Sequence, residues 1–253
     1  MSKISATIIT FNEEHRVARC IESLQGVADE IIVVDSCSTD ATVEICESLG
    51  CRVTSRKMTG YGAQRQYATS LATFNYVLSI DADEVLSPAL RCNLIKLKNS
   101  DFKHRGYSFA RLNFYCGTPV KHCGWYPDYQ VRLFDKRYAN WNLSDVEERV
   151  IFRDNVRPEK VDGDILHYRC STESEFRETE NKHAMLLAKN LVSRGIKPGV
   201  VTPYLQGIKS FIKCYFLQGG ALEGIAGNAI CSQRYRSTVL AWKAAAKALA
   251  KNK

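Results

Sequence analysis

The chain has 253 residues, a mass of 28.5 kDa and a hydrophobic fraction of 45%, enough for one α/β domain with its own core plus an appendage, and too apolar for a disordered chain. The formal charge of +8 is unevenly spread: from Lys197 onward nine Lys or Arg face one acid, Glu223, so the first 196 residues are neutral overall. A basic excess at one end points to an acidic surface as partner, either lipid headgroups or nucleic acid.

Ile4–Thr10 (ISATIIT) is a β-branched run that predicts a first strand. Asn12, in Phe11-Asn12-Glu13-Glu14, is placed to cap a helix carrying Val17, Ile21 and Leu24 at helical spacing. Glu30–Asp35 (EIIVVD) reads as a buried strand ending on an acid. A helix through Ile45 and Leu49, closed by Gly50, and a strand over 51–56 follow. Beyond Gly60 and Gly62 come a helix over 63–72 and a strand over 76–80 running into Asp81-Ala82-Asp83. Ser87 and Pro88 are the cap and first position of the next helix. This alternation, up to about residue 100, predicts a doubly wound, parallel nucleotide-binding sheet with helices on both faces. Residues 107–115, 129–134 and 148–152 then read as mixed or antiparallel additions to it.

Thr172-x-x-Glu175 opens a helix through about Val192, ended by Gly195 and Pro198. After it, Tyr204, Leu205, Ile208, Phe211, Ile212, Tyr215 and Phe216 form an apolar stripe at helical spacing, flanked by Lys209 and Lys213. No uncharged run there approaches the roughly 20 residues of a membrane span, so a helix lying on a surface is expected. The ten cysteines contain no CxxC pair and read as buried, reduced thiols of a cytosolic protein. Residues 1–11 carry no signal-peptide pattern.

Asp35, Asp81 and Asp83 fall at the carboxyl ends of predicted strands, the edge at which open α/β sheets bind ligands. Residues i and i+2 leaving a strand face the same side, so Asp81 and Asp83 are placed to meet one ligand. Two hard carboxylates suit Mg²⁺ or Mn²⁺, which bridges to a diphosphate and neutralises it as a leaving group. The same spacing recurs at Asp162-Gly163-Asp164, where a turn before Ile165-Leu166-His167 is the expected role. Context therefore separates the two copies.

Three ordered motifs now stand together: Thr7-Ile8-Ile9-Thr10-Phe11-Asn12-Glu13-Glu14, then Ile31-Ile32-Val33-Val34-Asp35-Ser36-Cys37-Ser38-Thr39-Asp40, then Leu78-Ser79-Ile80-Asp81-Ala82-Asp83-Glu84. The chain resembles family 2 of the inverting glycosyltransferases. Gly124-Trp125-Tyr126-Pro127-Asp128-Tyr129-Gln130-Val131-Arg132-Leu133-Phe134 is similar to the branch that adds glucose or a like sugar to lipopolysaccharide inner core.

The resemblance implies an α/β GT-A fold, with a mixed, mostly parallel sheet, helices on both faces and C-terminal amphipathic helices. Residues 1–196 would form the transferase domain (1–100 for the nucleotide, 101–196 for the acceptor) and 197–253 a basic helical extension. Thr10, Asn12 and Glu13 would line the base pocket, and Asp35 would accept from uracil. Gln64 and Arg65 would meet the nucleotide and diphosphate. Asp81 would lie near the ribose and metal, Asp83 would ligate the metal, and His167 is a third ligand or a structural strand histidine. Asp128, Gln130 and Arg132 would line the acceptor or diphosphate side, with Trp125 and Tyr126 as a sugar platform or as loop packing.

Where the branch reads Val-His-Glu this chain has Val146-Glu147-Glu148, so Glu147 replaces the histidine and Glu148 takes the place of the base. The implied reaction moves a hexose from a UDP-sugar to a lipid-linked saccharide at the inner face of the cytoplasmic membrane, the enzyme docking peripherally on anionic lipid. A catalytically impaired nucleotide-sugar-binding subunit is the alternative. A nucleotidyltransferase lacks its Gly-rich basic loop here, a dehydrogenase lacks its GxGxxG, and no nucleic-acid-binding signature is present.

Overall fold

The computed structural model describes residues 2–143 and 148–251 and divides the chain into two compact units. The first comprises residues 1–111 and 128–167, the second residues 112–127 and 168–253.

In the first unit, β1 (Ile4–Thr10), β2 (Glu30–Asp35), β3 (Arg52–Ser55) and β4 (Tyr76–Asp81) run parallel in the order β3-β2-β1-β4. β1, β2 and β4 are largely apolar along their length because both faces are covered: every position of β1 but one is buried. The sheet continues antiparallel from β4 to β8 (Asp128–Asp135) and β6 (Gly106–Tyr115). Beyond β6 come β11 (Glu159–Cys170) and β5 (Glu84–Leu86). α1 (Val17–Leu24), α2 (Thr42–Ser48) and α3 (Tyr61–Leu71) connect the parallel strands, and α4 (Pro88–Asn99) leads from β5 to β6. Ile4, Ile8, Ile21, Leu24, Leu78 and Leu90, all fully buried, make the main core. A β9–β10 hairpin (Ala139–Trp141 and Val150–Phe152) stands apart from the large sheet.

Two local expectations are corrected. Asn12 does not cap α1: the helix starts at Val17, after an Arg16 that makes no side-chain cap. Asn12 instead adopts φ 55°, and its Oδ1 accepts the Thr39 amide at 2.9 Å, so its capping oxygen is used across the loop rather than along the helix. Asp162-Gly163-Asp164 lies inside β11 rather than on a turn. Gly163 is required there because its φ is 104° and a Cβ would stand 2.5 Å from the Leu90 amide nitrogen. Ser87 caps α4 as expected, its Oγ accepting the Leu90 N–H at 3.2 Å.

The second unit is helical. It contains β7 (Thr118–Val120) on the end of β6, α5 (Glu173–Ser193), α6 (Thr202–Ile212), a π-helical turn (Lys213–Leu217), a 3₁₀ turn (Gly220–Glu223) and α7 (Gly224–Lys251). Thr172 Oγ1 accepts the Glu175 amide, while Glu175 reaches back past the N-cap to Ser171 N–H at 2.7 Å, one residue beyond the expected capping box. α5 packs along α7 through Ala188, Leu191 and Ala245, so the division at 196/197 expected from composition is not where the chain separates. Among the described residues, no helix is long and apolar enough to cross a membrane.

Candidate active site

Register brings the site together. Thr10 pairs with Asp35 across β1–β2, and Ile9 pairs with Asp81 across β1–β4, so the carboxyl ends of three parallel strands present Thr10, Asp35 and Asp81 along one edge. Such an edge is where open α/β sheets take their ligands.

At β2, Asp35 is buried and organises its own loop. Its Oδ1 accepts Thr10 Oγ1 at 2.9 Å and also the Ser38 hydroxyl, and its Oδ2 accepts the Ser38 amide at 2.8 Å. One acceptor position remains on Oδ2, since a carboxylate offers about four in all. The Glu13 amide is held by Thr42 Oγ1 at 2.8 Å, and the Glu13 carboxylate by Arg16 at 3.3 Å. Thr10, Asn12, Glu13 and Asp35 thus belong to one hydrogen-bonded loop system between β1 and α2.

At β4, the charges interlock. Asp81 Oδ1 pairs with Arg65 of α3 at 2.9 Å, and Oδ2 with Arg132 of β8 at 2.9 Å. Burial works to raise the Asp81 pKa, but the Arg132 and Arg65 charges outweigh it and hold the carboxyl far below the usual range. Arg132 also meets Glu84 at 2.7 Å, and Glu84, fully buried, takes the Asp81 amide on its other oxygen at 3.0 Å. Arg111 spans Glu84, at 3.5 Å, and Asp128, at 2.6 Å, and Gln130 donates to Asp128 at 2.7 Å. Beyond Asp81, Asp83 faces His167 of β11, Oδ2 to Nε2 3.2 Å.

A second loop is tied to the same helix. Gln66 Nε2 donates to the Trp141 carbonyl at 2.6 Å, and the Arg65 guanidinium lies 4.6 Å from the centroid of the Trp141 ring. Asn142 and Arg149 close the loop beyond it, each backbone N–H donating to the other residue at 3.0 Å. Glu148, half-buried, sits just inside that closure, whereas Val146 and Glu147 lie outside the described residues.

The model of glycosyl transferase family 2 matches residues 5–106. An uncharacterised glycosyltransferase of Rickettsia typhi is 32% identical over 243 residues, covering 90% of this chain and 81% of that protein. The chain belongs to glycosyltransferase family 2. A lipopolysaccharide core biosynthesis glycosyltransferase, LpsC of Rhizobium meliloti, is 31% identical over 239 residues, covering 88% of this chain and 84% of LpsC. Among solved structures, the glucosyl-3-phosphoglycerate synthase of Mycobacterium tuberculosis, crystallised with Mn²⁺, UDP and its product, aligns over 45% of this chain and 44% of its own. The identity in that alignment is 25% and the TM-score 0.37.

The family 2 frame is the expected GT-A fold, and it gathers Thr10, Asn12, Glu13, Asp35, Asp81, Asp83, Asp128, Gln130, Arg132, Gln64, Arg65 and His167 in the first unit. Gln64 is fully buried, donating to the Ser36 hydroxyl at 3.2 Å and the Arg56 carbonyl at 2.9 Å, so it fixes the start of α3. Trp125 lies elsewhere: it is buried in the core of the second unit, 5.9 Å from Phe176 and 5.3 Å from the Arg169 guanidinium. Its ring is engaged in packing, which corrects the sugar-platform reading in favour of loop packing.

For a divalent ion, the donor set narrows to Asp83 and His167, a carboxylate oxygen and an imidazole nitrogen side by side and partly exposed. Asp81 fits that role less well, since both of its oxygens are paired with arginines. Sequence reasoning missed Glu84 and Arg111. Glu84 stood in the quoted motif with no role, and the available signal was an acid opening the apolar strand Glu84-Val85-Leu86.

Proposed function

We propose that this family 2 enzyme transfers a hexose, glucose foremost, from a UDP-sugar to a lipid-linked saccharide of the lipopolysaccharide-core kind, in one displacement with inversion at the anomeric carbon. The observation that carries the reading is the interlocked strand edge, where Asp35 anchors the base-side loop while Arg65 and Arg132 flank Asp81. Two cations there suit a diphosphate, and Arg65 Nε and Trp141 Nε1 are buried donors without a hydrogen-bond partner among the described residues. Asp83 and His167 would hold Mg²⁺ or Mn²⁺, whose chemistry is to neutralise the leaving diphosphate.

Glu148 takes the proton of the acceptor hydroxyl. Its loop is tied through Trp141 to α3, the helix that carries Arg65. The similarity to LpsC, named for lipopolysaccharide core biosynthesis, supports the acceptor class.

The second unit supplies the membrane contact at the cytoplasmic face. Leu205, Ile208, Ile212, Phe216 and Leu217 are exposed on α6 and the turn after it, beside the exposed Lys209 and Lys213. An apolar face rimmed by lysines suits the interface of an anionic bilayer. The test is incubation with UDP-glucose and truncated lipopolysaccharide, read by mass spectrometry and by the anomeric NMR coupling of the product. Addition of one hexose with inverted configuration is expected. A retained configuration, or transfer only to water across a panel of lipid-linked acceptors, would overturn the proposal.

A further inference from the structure

The second unit holds a feature that sugar transfer does not use. Cys123, Cys214 and Cys231 come from three separated segments, yet their sulfurs all lie within 4.8 Å of one another and all three side chains are fully buried. Cys231 Sγ is 2.8 Å from Cys214 Sγ and 4.0 Å from Cys123 Sγ. Apolar packing alone calls for no such convergence, because alanine or valine fills a core equally well without a polarizable, ionisable atom.

The backbone around the cluster is unusual at each point of approach. Cys123 has φ 60°, a left-handed conformation uncommon outside glycine and asparagine. Cys214 sits in the π-helical turn Lys213–Leu217, a geometry that occurs often at functional sites. Gly220 lies so close that a Cβ would stand 2.6 Å from Cys231 Sγ and 3.2 Å from Cys123 Sγ, so only glycine lets the chain close over the sulfurs. Three separate distortions thus converge on one point.

From this geometry we infer a trithiolate site for a single thiophilic cation, Zn²⁺ or Cu⁺, formed by Cys123, Cys214 and Cys231. Thiolates are the preferred ligands of both ions. At a Zn–S distance of about 2.3 Å, tetrahedral ligation separates sulfurs by about 3.8 Å, close to the Cys123–Cys231 spacing of 4.0 Å. The 2.8 Å pair would open by about 1 Å on binding, and it is longer than the roughly 2.05 Å of a disulfide.

Binding releases three protons as three S–H bonds give way to three metal–sulfur bonds, with no change in oxidation state. Arg234 offsets the negative charge of the loaded site.

The test uses the whole protein, purified without chelator, its metal content measured by mass spectrometry. Stripped protein is then titrated with Co²⁺ and followed by sulfur-to-cobalt charge-transfer absorption. An ion on Asp83 and His167 gives no such band, so the two sites are distinguished. Near one equivalent of Zn²⁺ or Cu⁺ on purification, a saturating thiolate band and a metal-dependent rise in Tm are expected. The band should survive Cys92→Ala, at an exposed cysteine of the first unit, and vanish in Cys231→Ala. Because the wild-type titration decides the matter, a poorly folded variant does not weaken the test. Absence of the thiolate band in reduced, stripped wild-type protein would overturn the inference, as would a Cys214–Cys231 disulfide in protein purified without reductant.

Discussion

The two units bury their reactive groups in opposite ways. The strand edge of the first holds ionised side chains in mutual contact: Asp81, Glu84 and Asp128 are matched to Arg65, Arg132 and Arg111 in one connected network. The second unit surrounds its cysteines with aromatic and aliphatic groups and turns much of its apolar surface outward. Leu217 and Ile225, for example, are 79% and 91% exposed. Burying charge in matched pairs fixes the geometry of a site, whereas a cluster of exposed apolar side chains leaves a surface open to a partner.

If that contrast holds, the largest loss of stability comes from Glu84→Ala. It removes one of the two buried acidic partners of Arg132, leaving Asp81 alone, and takes a partner from Arg111, at a cost of about 3–5 kcal/mol in urea unfolding. A loss under about 1 kcal/mol would mean the network is loosely coupled.

Acid should reveal the same network. Asp81 has a depressed folded pKa, so its contribution is complete above the ordinary carboxylate value of about 3.9 and is lost as pH falls through the folded value. Unfolding free energy should therefore hold steady from about pH 7 to 5 and decline below about 4, less steeply in Arg65→Met. An equal decline in both proteins would contradict the assignment.

The smallest effect on stability is expected on the other side of the comparison. Ile208→Ser with Phe216→Ser changes exposed positions and should alter unfolding by no more than about 0.5 kcal/mol per site, while reducing flotation with anionic vesicles. A large stability loss, or undiminished flotation, would break the contrast.

What the sequence revealed follows from how local each signal is. β1, β2 and β4 were legible because a strand covered on both faces is a continuous apolar run, and the acids that end β2 and β4 could be placed from that alone. The start of α1 was not, because Asn12 finds its partner in Thr39 across the loop. The pairing of Asp81 with Arg65 and Arg132 and the convergence of Cys123, Cys214 and Cys231 join segments far apart in the chain, and no spacing rule reports such contacts. Trp125 misled because an aromatic beside Gly124 and Pro127 reads the same whether it faces a sugar or Phe176.

The central claim is that the strand-edge acids of the first unit, together with Glu148, carry out transfer from a UDP-sugar. It is tested most directly by UDP release from a panel of UDP-sugars, with and without Mn²⁺ or Mg²⁺, for the wild type, Asp83→Asn and Glu148→Gln. The account predicts metal-dependent release from one preferred donor, with Glu148→Gln lowering kcat about 10²–10⁴-fold while still binding UDP. It also predicts that Asp83→Asn loses the metal dependence along with the activity. Release that persists in both variants, or UDP binding without turnover of any donor when lipid-linked acceptor is supplied, would contradict it.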